Sequence, residues 1–203
     1  MLWIRLVFWP TLALVLIALT TLIVSGIALV PATLMLGPCL KDFTGAFWEP
    51  RESPLTSTTF DVGEGAVRVC YGKPSARGRE VFGGMVPYRQ LWRTGANEPT
   101  RIYSNRAFEI AGVSLPPGRY AMYSIPDTSE WRIFITKPVG EWRDDLLSGA
   151  PDRVIGVGVV PADTTADYVE SFTISGRPEG DSAVMVLEWE WTRVTVGVKP
   201  FDH

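Results

Sequence analysis

Histidine is all but missing from this chain: its one copy is the final residue, His203. Ser-His-Asp and Cys-His catalysis both need an imidazole to carry a proton, and neither finds one inside the chain. Zinc, copper and haem sites built on histidine fail on the same ground. The two cysteines, Cys39 and Cys70, are too few for a tetrahedral cage. The glycine-rich phosphate motifs GxGxxG and GxxxxGK(S/T) are absent as well. Nor is there an excess of base: 19 Lys and Arg stand against 22 Asp and Glu, a net charge of −3, so no basic field exists to hold nucleic acid. No catalytic residue, cofactor or metal is therefore assigned.

Charge is missing from one long stretch. Between Leu6 and Leu36 there is no ionisable side chain, and Pro10 and Pro31 bracket an apolar run from Thr11 to Val30. At about 1.5 Å per residue, that run matches the ~30 Å hydrocarbon core of a bilayer. Trp3 and Trp9 sit near its start, where indoles favour the membrane interface. The run exceeds the ~7–15 residues usual for a signal peptide, so residues 1–36 read as a short tail and an uncleaved transmembrane anchor. Bases on the two sides are nearly balanced, and a short N-terminal tail before a first span favours a cytoplasmic N-terminus. The expected location is a bacterial inner membrane, crossed once, with the remaining domain in the periplasm. Thr11, Ala18, Thr21, Ser25 and Ala28 share one face of the helix, and small residues there let a partner helix approach closely. Residues 37–53 form a membrane-proximal linker carrying Phe43, Phe47 and Trp48, placed to meet headgroups or a neighbouring subunit.

Residues 54–203 make one domain. Sixteen prolines and nineteen glycines, mostly in this part, suit a many-turned β protein. Short alternating runs separated by turn signals predict strands at 56–62, 66–71, 101–104, 108–110, 119–125, 131–136, 154–160, 168–175, 183–189 and 192–198. About ten strands without a long helical pattern imply an all-β sandwich or jelly roll, preceded by the one anchor helix. Helical turns are expected around Pro87–Trp92 and Trp142–Leu147. Of Trp131, Trp189 and Trp191, at least two should enter the core. Cys39 and Cys70 have two readings: a bridge in an oxidising compartment, or a small buried thiol at Cys70 with Cys39 unrelated.

The rhythm breaks between Tyr71 and Asn97, a segment dense in Gly, Arg and aromatics. So long an excursion is either functional or an elaborate structural plug. Tyr71, Arg77, Arg79, Tyr88, Trp92 and Arg93, together with Arg89, are the candidates for a pocket that takes a carboxylate or phosphate. The competing reading has these arginines paired internally, pinning the loop to the sheet. Glu98, Glu109, Asp127, Glu130, Asp144 and Asp145 are candidates for paired acids, but spacing does not show that any two converge.

The strings CYGKPSARGREVFGGMVPYRQLWRTGANEPTRI, LPPGRYAMYSIPDTSEWRIFITK and LEWEWTRVTV, in that order, resemble the DUF2911 family of bacterial proteins from about Ser53 to Val198. Where many relatives read R-P-S-x-R-G-R, this chain has Lys73-Pro74-Ser75-Ala76-Arg77-Gly78-Arg79, so the first Arg is lost and with it a bidentate donor. The resemblance implies a β-sandwich-like, commonly exported domain and carries no activity. Taken together, the chain reads as a non-enzymatic accessory subunit. Its anchor would dock among other integral membrane subunits and its β domain would brace the complex from the periplasm, the host being a photosynthetic reaction centre with its antenna or a respiratory assembly. The alternative is a membrane-tethered binding domain or weak hydrolase, using the Arg/Tyr loop on a carbohydrate or anionic small molecule.

Overall fold

The structure is a computed structural model that describes Cys39, residues 52–137 and residues 153–201. The expected span, the small-residue face at Thr11, Ala18, Thr21, Ser25 and Ala28, the aromatics Phe43, Phe47 and Trp48, and the turn at Trp142–Leu147 lie outside the described residues. Among the described residues no helix is long and apolar enough to cross a membrane.

Nine strands follow one another: β1 (Leu55–Val62), β2 (Gly65–Gly72), β3 (Thr100–Ser104), β4 (Phe108–Ile110), β5 (Val113–Leu115), β6 (Gly118–Pro126), β7 (Glu130–Thr136), β8 (Val154–Glu179) and β9 (Ser182–Pro200). They form one antiparallel sheet in the order β1-β2-β3-β6-β7-β8-β9-β4-β5. β-Branched and aromatic residues at alternate positions put one side chain in two on the inner face. In β7, Trp131, Ile133 and Ile135 are buried while Glu130 and Arg132 face out.

The architecture turns on β8. Its first part, Val154–Pro161, pairs with β7, and the remainder, from Ala162, pairs with β9. Serving two partners along its length, β8 carries the sheet round until β1 meets β8 and β9 across the interior. All nine strands therefore feed one core, with Phe60, Val69, Ile102, Phe108, Leu115, Met122, Ile133, Phe172 and Met185 in a single cluster.

Two pairs of expected strands are fused. The runs at 154–160 and 168–175 belong to β8, and those at 183–189 and 192–198 to β9, because bulges rather than turns separate them. Register shifts between Thr164 and Thr173 accommodate the polar stretch that resembles a turn. In β9 the bulge is at Glu190, whose φ is +50°. Buried positions run 183, 185, 187, 189 before it and 194, 196, 198 after it, so one residue changes which face is inward. Trp189 thus enters the core with Trp131, while Trp191 points to solvent. β5 was not expected; it forms because Ala111-Gly112, both at positive φ, makes the two-residue hairpin turn that returns Val113 against Ile110. The stretch Pro87–Trp92 forms no helix; it is held by Arg89 and Trp92 backbone bonds to Pro126 and Ser124.

Cys39 and Cys70 are joined in a disulfide with their Cα atoms 6.1 Å apart. That separation suits the bridge geometry and decides between the two readings of the cysteines.

Candidate functional site

The excursion after β2 lies across the interior of the sheet and fills it. Its backbone is tied down at three places. Ala76 N–H donates to the Glu170 carbonyl at 2.9 Å and Phe172 N–H to the Pro74 carbonyl at 2.8 Å, so residues bulged out of the β8–β9 ladder find their partners in the loop. Trp92 and Ser124 exchange backbone hydrogen bonds at 2.7 and 2.8 Å, and Ala96 N–H returns to the Gly72 carbonyl at 3.2 Å. Between these ties Ala76, Val81, Phe82 and Val86 are buried. Phe82 makes edge-to-face contacts with Trp92, Trp131 and Trp189 at 5.1–6.0 Å, and Trp92 stacks on Trp189. Such pairs add about 0.5–1.5 kcal/mol each beyond their buried area.

The predicted site residues divide between the plug and its rim. Tyr71 is interior: its phenol accepts from Ile174 N–H at 2.9 Å and contacts the Ile174 carbonyl at 3.4 Å. Burial pushes that phenol above its ordinary value, against the opposing pull of the backbone bond. Trp92 donates its indole N–H to the Gly95 carbonyl at 3.0 Å. Arg79 clasps its own turn, donating Nε to the Ala76 carbonyl at 3.0 Å and Nη2 to the Ser75 carbonyl at 3.1 Å. Arg77 reaches Glu52, Arg89 pairs with Asp127 at 2.9 Å, and Arg93 donates to the Asn97 carbonyl. Tyr88 is on the surface, where partial burial and then the carboxylates of Glu80, Glu190 and Asp127 raise its phenol.

Two hollows open at this end. One, of about 250 Å³, is lined by Arg77, Arg79, Ser75, Glu52, Met85 and Trp189 among others. The second, of about 160 Å³, brings Trp92 and Arg93 together with Gln90 and Leu91. Arg77 and Arg79 therefore share a hollow, Trp92 and Arg93 share another, and Tyr88 and Tyr71 line neither.

Of the candidate acids, Glu98 is buried, Glu109 pairs with Lys199 at 3.4 Å, Asp127 is held by Arg89, and Glu130 is exposed on β7. Asp144 and Asp145 lie outside the described residues. Among the described residues no group of three His, Cys, Asp or Glu side chains is disposed to hold a metal ion.

Sequence reasoning missed Glu170 and Glu190. Glu170 accepts the Arg77 amide at 2.8 Å, holding Arg77 at a φ of +52°, and Glu190 accepts the Val81 amide at 3.2 Å. Four of the six non-glycine residues at positive φ among the described residues, Arg77, Arg89, Thr94 and Asn97, are in the loop. Each such conformation costs about 1–3 kcal/mol, so the loop is held by its surroundings in a shape it would not choose alone. The signal for Glu170 and Glu190 was their position on strands flanked by aromatics.

The domain is thus an antiparallel all-β module plugged by its own arginine-rich loop. The chain belongs to the family described as "Protein of unknown function (DUF2911)", whose model matches residues 53–198. No curated protein and no solved structure matches the chain.

Proposed function

We propose that this protein is a non-enzymatic accessory subunit of a larger membrane complex. Residues 1–36 anchor it by one transmembrane helix in a bacterial inner membrane, residues 37–53 link, and residues 54–203 brace the complex from the periplasm as a sandwich-like domain. The observation that carries the reading is the outward face of β8 and β9. Ile155, Val157, Val159, Tyr168 and Trp191 are large apolar side chains exposed on those two strands. Ile155, Val157 and Val159 share one outward face of β8, and Tyr168 meets Trp191 farther along it; exposed apolar groups of this kind mark faces that a partner covers.

Two further observations support it. The Cys39–Cys70 disulfide suits an oxidising compartment such as the periplasm. The loop arginines spend their donors on carbonyls and carboxylates of the same chain, which is structural work. A photosynthetic reaction centre with its antenna or a respiratory assembly is the proposed host. Native gel electrophoresis of membranes solubilised in mild detergent tests the reading: the chain should migrate with a large complex, whereas migration at its own mass removes the reading.

A second reading, a membrane-tethered domain that binds an anionic small molecule or carbohydrate, draws on the hollow that Arg77 and Arg79 share above Trp189. Calorimetric titration with inorganic phosphate and with citrate tests it, and heat absent in both, at millimolar concentrations, rejects it for anions.

A further inference from the structure

The bulge that puts Trp191 outside also assembles something there. Tyr168, within the irregular part of β8, meets Trp191 edge to face with ring centroids 5.5 Å apart. Both are well exposed, Trp191 at 55% and Tyr168 at 42%. Two large rings held against each other in solvent form a preordered contact surface, and tryptophan and tyrosine are the residues that anchor interfaces.

The electrostatic setting is one-sided. From Val154 to Gly176 the chain has Asp163, Asp167 and Glu170 and no Lys or Arg. From Ser182 to Thr192 it has Glu188 and Glu190, again without a base. Glu170 accepts from Arg77 N–H and Glu190 from Val81 N–H; backbone amides orient these carboxylates but leave their charge in place. Glu170 and Glu190 lie near enough to raise the Tyr168 phenol, after partial burial, and Glu190 also acts on Tyr88. Glu190 precedes Trp191 on β9 and holds the amide of Val81, the residue after Glu80 in the loop. Glu80 adds a third carboxylate, beside the Tyr88 ring. Three nearby cations are paired with other carboxylates, Arg77 with Glu52, Arg89 with Asp127 and Arg193 with Glu188 at 2.6 Å, while Arg79 keeps its charge and turns its donors to the Ala76 and Ser75 carbonyls. No ion pair neutralises Glu80, Glu170 or Glu190 among the described residues.

Aromatic faces ringed by unneutralised carboxylates attract a cation twice, through the ring quadrupole and through charge. They repel an anionic lipid surface. We propose that the Tyr168–Trp191 pair, with Tyr88, Glu80, Glu170 and Glu190, is the docking surface for a cationic, arginine- or lysine-bearing segment of a host-complex protein. The proposal rests on the accessory-subunit reading and names the face through which the domain engages its host. The backbone cost at Glu190 then has a purpose, since without the bulge Trp191 would not share a surface with Tyr168.

The test uses the full chain in its native membrane with Tyr168→p-benzoylphenylalanine, and with Ser114→p-benzoylphenylalanine on the exposed side of β5 as the control. After irradiation, mass spectrometry of the crosslinked peptides should place the Tyr168 crosslink on a Lys- or Arg-bearing segment of one stoichiometric subunit, with none from position 114. The exposed double variant Y168S/W191S should lower co-purification with that subunit about tenfold or more. Wild-type retention should also fall as NaCl rises from 50 to 500 mM. A normal thermal melt for the double variant separates lost docking from lost folding. If the complex co-purifies but the crosslink from position 168 goes to lipid, to an acidic segment or nowhere, the docking proposal is overturned and the accessory role survives. If no complex is recovered, both fall together.

Discussion

The ring of Phe60 on β1 rests directly against the α-carbon of Gly176 on β8: a Cβ at that glycine would lie 1.8 Å from Phe60 Cδ1. These strands are not neighbours in the sheet, so this contact is where the sheet closes over its own core. Gly176→Ala should destabilise the domain by about 1–3 kcal/mol, as overpacking does, and Phe60→Leu should recover part of the loss in the same background. Denaturant titration of the purified chain in detergent measures both; equal stability of Gly176→Ala and wild type would mean that β1 does not seat there.

Covalent closure should matter as much. The disulfide spans 31 residues of sequence, and removing that constraint from the unfolded chain corresponds to about 3–4 kcal/mol in the loop-entropy account. Reduction, or the pair of changes Cys39→Ser and Cys70→Ala, should lower the melting temperature markedly. A melt unchanged by reductant, with both thiols shown free by alkylation, contradicts this.

The arginines should separate by what they hold. Arg79 donates two hydrogen bonds that close the Ser75–Ala76 turn, and Arg79→Ala should cost about 1–2 kcal/mol. Arg89 sits 80% exposed in its pair with Asp127, and a pair so well solvated adds little, so Arg89→Ala should leave stability nearly unchanged. Comparable losses for the two variants would mean that the loop is not pinned as described.

Stability should also fall at both ends of the pH scale, for opposite reasons. Tyr71 has its phenol pKa raised by burial, so the folded state keeps a proton that the unfolded state sheds. Its contribution is complete below the ordinary value of 10.0 and is lost as pH rises beyond it. Asp127 is the reverse: the Thr128 amide, and then Arg89, hold its carboxyl below the ordinary 3.8, so its contribution is present above that value and drains away as pH falls below it through the depressed folded-state value. Chemical denaturation between pH 3 and 11.5 should show a flatter alkaline limb for Tyr71→Phe, with lower stability at pH 7 from the lost Ile174 bonds, and a flatter acid limb for Asp127→Asn.

Strand content was legible because alternation survives in short runs: the expected 108–110, 131–136 and 119–125 match β4, β7 and β6 to within a residue at either end. Continuity was not legible. The stretch Asp163–Asp167 has the composition of a turn, and only its pairing with β9 through bulges, and the loop's capture of Glu170–Phe172, keep it in a strand. The face of Trp191 was beyond reach for a related reason. A bulge at Glu190 inverts the inward set, and a glutamate carries no local signal for a left-handed backbone. The arginine-rich loop was recognisable as an interruption, but its partners lie 93 to 109 residues away at Glu170 and Glu190, a separation that a local pattern does not encode.

The central claim is that this chain works as one part of a larger membrane assembly, and quantitative co-purification tests it most directly. Native membranes are extracted in mild detergent, the tagged full-length chain is pulled down, and its companions are counted by mass spectrometry. The account predicts a fixed, stoichiometric set of integral membrane subunits that persists through washing at low salt. Recovery of the chain by itself, from membranes in which other complexes remain intact, would contradict it and turn attention to the hollow between Arg77 and Arg79.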